Sequence, residues 1–355
     1  MFVKLGKILI SVVILLLVIT TLTLYFVFEN TAYAPYLLPV CDDLSEDMSI
    51  SDAELYLPET PTDEDSDISD EYTEPEPDEE PEEVFVDPGY VLLRMAYSDI
   101  SRGALILINH DHAFVFPEEE QSEVISIFDY ITETLGVTTE HTRLHASIIT
   151  PLNEMMEAFY EETGITNVVI RSAYRSLAAQ QQIFDTNVRR WGRTGALRWA
   201  KPPGHSEHHS GLAFDFGRRV GGTIEMFSGT GSSSWMPENS HYFGFILRYP
   251  NNKTEITGTN YEPWHYRYVG IPHASIMREN NWVLEEYLEQ IRNYTFEEPF
   301  LFTLGDIEYE IYFSSELEIR LPLNVEFDVS GNNIDGFIVT IWRSPFPEVP
   351  DGCVS

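Results

Sequence analysis

Two short segments hold side chains whose types and spacing could do chemistry: Ser206-Glu-His-His-Ser-Gly-Leu-Ala-Phe-Asp215 and Tyr261-Glu-Pro-Trp-His265. Together they offer His208, Asp215 and His265 as metal ligands, with Glu262 beside the last. Three protein ligands with a fourth position left to water is the pattern of a catalytic zinc, whereas a structural site closes all four positions, usually with Cys. The chain has only Cys41 and Cys353, which excludes a thiolate cage. One oxygen and two imidazole donors keep such an ion acidic enough to bring the pKa of water toward ~7. Glu262, three residues before His265, is placed to accept a proton from that water and hand it to a leaving amine. Pro263 makes the second segment extended or turned, unlike a helical His-Glu-x-x-His arrangement.

These residues need a scaffold, and the pattern from about Val84 onward supplies one. Tyr90 to Arg94 and Ala104 to Ile108 read as short strands, Val124 to Leu135 and Pro151 to Glu162 as amphipathic helices, and Asn167 to Ile170 as a buried strand. Ser176 is a natural N-cap for a helix running to Asn187. Gly211 to Phe216, Tyr242 to Tyr249 and Trp264 to Val269 follow as strands, Gly221 to Ser234 as a mobile Gly- and Ser-rich loop, and Pro272 to Asn293 as a closing helix. Segregated helices and short strands make an α+β domain over residues 86–293. Beyond it, residues 294–355 alternate apolar and polar residues (Ile307 to Phe313, Glu318 to Leu321, Gly336 to Trp342) as a small β module. At roughly 60 residues such a module is marginal alone, so docking on the domain is expected.

The N-terminal quarter is different in kind. Ile8 to Phe28 is an uncharged run long enough to cross a ~30 Å hydrocarbon layer as a helix. Lys4 and Lys7 precede it and no Lys or Arg follows until Arg94, which places residues 1–7 in the cytoplasm and everything after Phe28 outside. The protein is thus read as single-pass in the cell membrane, or as secreted if cleaved after Ala34, where Ala32-Tyr-Ala34 offers a small-x-small site. The formal net charge of −37 is concentrated: 20 of the 58 acidic residues lie between Cys41 and Phe85, where no basic residue occurs. Residues 29–85 therefore read as an acidic, disordered spacer, with binding of calcium or a cationic polymer as the functional alternative. Arg189, Arg190, Arg193, Arg198 and Lys201 form the one basic cluster, either a solvated loop or an electrostatic rim for an anionic peptide. Export and the acidic body argue against nucleic acid. Cys41 and Cys353 could pair if they approach within about 7 Å, which the sequence does not fix. His110-Asp-His112 reads as a turn rather than a second metal site, and His209 as a neighbour of His208 pointing elsewhere.

Taken jointly, Ser206-x-His208-x-x-Gly211-x-Ala213-x-Asp215, Glu262-Pro-Trp-His265 and the upstream Tyr174-Arg-Ser-Leu-Ala-Ala-Gln180 resemble the VanY-type D-alanyl-D-alanine carboxypeptidases of peptidase family M15, over about residues 90 to 292. Tyr242 to Pro250 and Tyr266 to Gly270 are similar to that family as well; Ser172-Ala173 and His209 depart from its commonest residues. The resemblance implies a zinc-peptidase fold of the Hedgehog/DD-peptidase type, Zn2+ held by His208, Asp215 and His265, and Glu262 as general base. It further implies Arg175 as oxyanion stabiliser or substrate holder, with Ser206 and Gln180 near the terminal carboxylate. The implied substrate is a peptidoglycan stem peptide that loses its terminal D-Ala to a monomeric enzyme. An L,D-carboxypeptidase on tetrapeptide stems, a free dipeptide or an internal bond, and a non-catalytic wall-binding protein on the same fold, are the alternatives.

Overall fold

The computed structural model describes residues 89–117 and 121–343. The Ile8 to Phe28 run, the acidic stretch, Cys41 and Cys353 lie outside the described residues, and among those described no helix is long and apolar enough to cross a membrane. Two compact units are present. In the small one, which holds the described residues up to Leu92 together with Leu321–Leu323, the Leu323 amide donates to the Gly89 carbonyl. All residues discussed below belong to the large unit.

Its centre is a six-stranded sheet in the order Gly136–Val137, Val168–Ser172, Ala213–Val220, His265–Tyr268, Phe245–Leu247, with Thr223–Met226 folded back on Ala213–Val220. The first pair is parallel and the others are antiparallel. Successive side chains of a strand point to opposite faces, so each strand carries two messages. Phe214, Phe216, Tyr266, Phe245, Val168 and Ile170 face a core that also takes Leu152, Met155, Met156 and Phe159 of the helix Ile149–Thr163. The alternate residues Asp215, His265 and Arg267 are thereby directed to the other face. The Ile149–Thr163 helix ends at Gly164, whose left-handed φ of +66° lets its amide cap the Tyr160 carbonyl.

Several expected elements take another form. Val124 to Leu135 is not a helix: Val124–Ser126 is a strand paired with Arg143–His145, and turns follow it. Val124, Ile127 and Leu135 are buried as their spacing demanded, but the Ile127 amide donates to Thr142 instead of closing a helical turn. Leu105 to Ile108 are buried, yet the segment from Ala104 joins no ladder, because side chains and the Asn332 carbonyl take its backbone groups. Ser330 Oγ accepts from the Leu105 amide, and Arg267 donates to the Ala104 and Ile106 carbonyls. The Gly221 to Ser234 segment contains the Thr223–Met226 strand and a short 3-10 turn. The closing helix is two, His273–Asn280 and Leu284–Ile291, broken where Asn281 adopts a left-handed φ of +52°. The Ser176 cap forms, accepting from the Ala179 amide at 3.3 Å, and the helix it starts runs from Leu177 to Ala196 with a break at Gly192.

The C-terminal strands form an antiparallel sheet in the order Phe300–Leu304, Ile307–Ser314, Phe337–Arg343, Glu326–Gly331. Tyr309, Ile311 and Ile338 share a second core with Leu107, Val269, Ile276, Leu284 and Leu288. That shared apolar surface is what a module this small requires.

His273 lies in this seam with its Nδ1 2.6 Å from the Tyr287 hydroxyl and its Nε2 3.2 Å from Thr340 Oγ1. A neutral imidazole can donate from one nitrogen and accept at the other, matching both hydroxyls. Burial pushes its pKa down to about 3. Between that value and the ordinary 6.5 the unfolded chain binds a proton the folded chain refuses, so stability is lost as pH falls through this window. Denaturant unfolding of wild type and His273→Gln at pH 7 and pH 5 should show the wild type losing about 2 kcal/mol more than the variant on acidification; equal losses would show that the imidazole is protonated in the fold.

Candidate metal centre and its surroundings

Asp215 and His265 are brought together by register. They are directly opposed on neighbouring antiparallel strands, and Asp215 Oδ1 lies 3.0 Å from His265 Nδ1. His208 arrives from the 3-10 turn Glu207–Ser210, which ends at Gly211. Only glycine suits that position: φ is +73°, and a Cβ there would sit 2.9 Å from the His145 backbone nitrogen. Leaving the turn at this angle sets His208 Nε2 3.6 Å from Asp215 Oδ1. The three expected ligands converge, each offering an atom within 4.8 Å of the others, and all three are buried.

Both imidazoles are pinned from behind. His208 Nδ1–H donates to the Ala173 carbonyl at 2.8 Å, which leaves Nε2 as the inward lone pair. His265 Nε2 lies 3.2 Å from Glu207 Oε2, which leaves Nδ1 inward. The donor set therefore fits a divalent ion of zinc's preference, with two imidazole nitrogens, one carboxylate oxygen and outer partners fixing both rings. The electrostatics agree. Burial opposes charge on His265, yet the hydrogen bonds that Asp215 and Glu207 accept from its ring raise its pKa to about 9. Burial, with Arg175 adding to it, pushes His208 down to about 4. Burial opposes charge on Asp215 too, but His208 and His265 hold it well below the usual carboxylate range. The carboxylates thus draw one positive charge into the cluster.

Glu262 sits at the edge of this set without joining it. Its Oε2 is 3.9 Å from His265 Nδ1, and its backbone is fixed at both ends, the amide donating to Tyr249 O and the carbonyl accepting from the His265 amide. Burial pushes its pKa up to about 7 against the pull of His265, with Asp215 reinforcing the rise. A carboxyl poised there is suited to take and return a proton near neutrality.

Arg175 follows the Val168–Ser172 strand, where a register shift between Ile170 and Ser172 places Ser172 opposite Asp215. Its guanidinium donates to Ser172 Oγ and Gln180 Oε1, both at 2.7 Å, and its backbone amide to the His208 carbonyl at 3.0 Å. Gln180 is 1% exposed and fully engaged, since its Nε2 donates to the Lys201 carbonyl at 2.5 Å. It stands behind Arg175. The Ser206 hydroxyl has no hydrogen-bond partner among the described residues, although the residue is only 4% exposed. His209 points away from the cluster: its Nδ1 lies 2.7 Å from the Arg175 carbonyl and its Nε2 accepts from the Gly204 amide.

Glu207, Arg248 and Arg267 are buried beneath the site and were not singled out from sequence. Glu207 Oε1 accepts from Arg248 Nε at 2.8 Å and from an Arg267 amino group at 3.0 Å, while Oε2 meets His265. Glu285 balances the second positive charge with a bidentate pair to Arg248. The available signal was an arginine inside two otherwise apolar strand sequences, Tyr242 to Tyr249 and Trp264 to Val269: a buried arginine demands a carboxylate. Glu207→Gln keeps the shape and removes the charge. It should cost about 3–5 kcal/mol in denaturant unfolding and weaken divalent-metal affinity about 10–100-fold by titration, and wild-type values for both would mean that this carboxylate neither holds the arginines nor orients His265.

Comparison with known proteins agrees with this geometry. A family model described as VanY, D-alanyl-D-alanine carboxypeptidase, matches residues 141–271. A D-alanyl-D-alanine carboxypeptidase of Enterococcus faecium is 34% identical over 248 residues, 68% of this chain and 76% of that protein. The bifunctional D-Ala-D-Ala dipeptidase and D-Ala-D-Ala carboxypeptidase VanXYC of Enterococcus gallinarum is 34% identical over 136 residues, 37% of this chain and 72% of that protein. Among solved structures, the vancomycin resistance D,D-dipeptidase VanXYg in complex with a D-Ala-D-Ala phosphinate analog is similar at a TM-score of 0.63 and 31% identity, covering 71% of this chain and 98% of that one. An α+β scaffold of that kind, carrying the His208, Asp215, His265 and Glu262 constellation, places this chain in the VanY family of D-alanyl-D-alanine carboxypeptidases.

Proposed function

We propose that the protein is a zinc-dependent D,D-carboxypeptidase that removes the terminal D-alanine of peptidoglycan stem peptides. The observation that carries this reading is the convergence of His208 Nε2, His265 Nδ1 and an Asp215 oxygen within 4.8 Å, with a Glu262 carboxylate oxygen beside them at 3.9 Å from His265 Nδ1. Zinc held there supplies Lewis acidity toward the scissile carbonyl and toward water. Glu262 takes the proton of the attacking water and returns it to the departing D-alanine amine, the two tasks for which a pKa of about 7 is suited. Arg175, aimed by Ser172 and Gln180, donates to the carbonyl oxygen as negative charge gathers on it. The free Ser206 hydroxyl is available to hold the substrate.

The uncharged Ile8 to Phe28 run behind Lys4 and Lys7 supports a single-pass anchor with the catalytic unit outside the cell, and the acidic stretch acts as the spacer between them. The enzyme acts as a monomer in this reading.

Incubating the full chain with stem pentapeptide and tetrapeptide, with and without a chelator, and weighing the products tests the proposal. Loss of one alanine from the pentapeptide, abolished by chelator and restored by zinc, is the expected result; cleavage of the tetrapeptide alone would overturn it in favour of L,D-specificity. Glu262→Ala should retain zinc and lose more than ~10²-fold in kcat, so a normal rate would remove Glu262 from the reaction. Arg175→Lys keeps a charge but loses the fork and should lower kcat about 10²–10³-fold with a smaller change in KM; an effect confined to KM would instead make Arg175 a ground-state substrate holder.

A further inference from the structure

Lys201 stands apart from the arginines near it in sequence. Arg189, Arg190, Arg193 and Arg198 are exposed, whereas Lys201 is 8% exposed. The other fully buried cations have carboxylates: Arg248 has Glu207 and Glu285, and Arg267 has Glu207. Lys201 has none. Its Nζ donates to His110 Nε2 at 2.8 Å, and among the described residues no carboxylate comes within ion-pair distance. An ammonium has three hydrogens to donate, and a buried charge without a counter-ion is costly unless something else supplies one.

Position says where that counter-ion comes from. Lys201 Nζ lies 5.8 Å from the centre of the Tyr249 ring, and that ring lies 4.9 Å from the ring of His265. The Tyr249 carbonyl accepts the Glu262 amide, and the Lys201 carbonyl holds Gln180, which in turn holds Arg175. Lys201 and Arg175 are thus two cations on one framework, both acting electrostatically on Glu262 and neither paired with a carboxylate. A carboxypeptidase has two negative charges to meet, the one that develops on the scissile carbonyl and the permanent one on the free C-terminus. An enzyme cutting internal bonds has only the first.

Resting on the peptidase reading above, we propose that Lys201 is the specificity-determining residue that binds the substrate's free C-terminal carboxylate, leaving Arg175 to the scissile carbonyl. The ammonium suits a permanent anion because it is a compact point charge whose direction of approach is not fixed, while the planar fork of Arg175 is held in one orientation by two partners. Burial lowers the pKa of Lys201 to about 8, so the group is still charged at neutral pH, and His110, pushed down by burial and then by Lys201 itself, accepts as a neutral ring.

The test compares full-length, metal-loaded wild type, Lys201→Met and Lys201→Arg on a D-alanyl-D-alanine-ended pentapeptide, as the free acid and as the C-terminal amide. Lys201→Met should raise KM for the acid at least ~30-fold with little change in kcat, leave values for the amide within about threefold, and keep zinc content and Tm. Lys201→Arg should recover most of the preference for the acid. An unchanged KM for the acid, or equal losses on acid and amide, would overturn the assignment. Calorimetry with D-alanyl-D-alanine and its amide separates this idea from the peptidase reading. A wild type that cleaves neither peptide, yet binds the acid dipeptide with a preference that Lys201→Met abolishes, would break the peptidase reading and support Lys201 as the carboxylate site. Equal binding of acid and amide by the wild type would overturn the site itself.

Discussion

A carboxylate with no access to water, Glu207, organises the region on which the rest depends. It faces Arg248, Arg267 and His265 at once, and both arginines are completely buried. Burying two guanidinium groups is unfavourable unless every donor finds an acceptor. Here each of the six guanidinium nitrogens has an acceptor, supplied by Glu207, Glu285 and the carbonyls of Ala104, Ile106 and Tyr268. Because the same carboxylate also meets His265 Nε2, the network that makes the charged layer tolerable fixes which nitrogen of that ring points inward.

The sheet translates that fixed layer into a site. Asp215 and His265 share a register position, so neither can move without the strand it belongs to, and the faces that Phe214, Phe216 and Tyr266 bury in the core prevent the strands from slipping. A slip by one residue would send Asp215 and His265 into the apolar core and the aromatic rings into the site. The loop residues are then aligned to the strands: His208 by a turn that only glycine can end, and Arg175 by a guanidinium with two partners and a backbone amide donating to the His208 carbonyl. His208, Asp215, His265, Glu262 and Arg175 are carried by different parts of the chain, but hydrogen bonds tie Arg175 to His208, Asp215 to His265 and the Glu262 backbone to His265, which is how a site gains rigidity without a single rigid element.

Much of the candidate constellation was legible before any fold was known. His208, Asp215, His265 and Glu262 stand in two dense motifs, and the structure brings those four side chains together. The supports were less legible. Gln180 reads as a substrate contact from its motif, but its side chain is engaged entirely with Arg175 and the Lys201 carbonyl. His209 reads as an idle neighbour, yet it holds the Arg175 carbonyl and the Gly204 amide. Glu207 reads as a spacer between two motif residues. Hydrogen bonds between residues tens of positions apart leave no periodicity in the chain, so a polar residue that supports looks the same as one that binds.

Secondary structure divides along the same line. The strands around Asp215 and His265 and the helix behind Ser176 follow from local alternation and capping, forces that act over a few residues. Val124 to Leu135 shows the limit: its apolar spacing reported burial faithfully, but the helix that usually produces such spacing is replaced by a strand and turns because Arg143–His145 and Thr142 offered partners. Ala104 to Ile108 likewise has the composition of a strand, and Arg267, Ser330 and Asn332 took its backbone groups. The sequence by itself determined the His208, Asp215, His265 and Glu262 motif set and the α+β class, because those depend on residue type and short spacing. Only the tertiary structure decided which nitrogen of each imidazole faces inward, that two arginines share one buried glutamate, and that Lys201 is buried without a carboxylate, because burial and pairing are properties of the assembled chain.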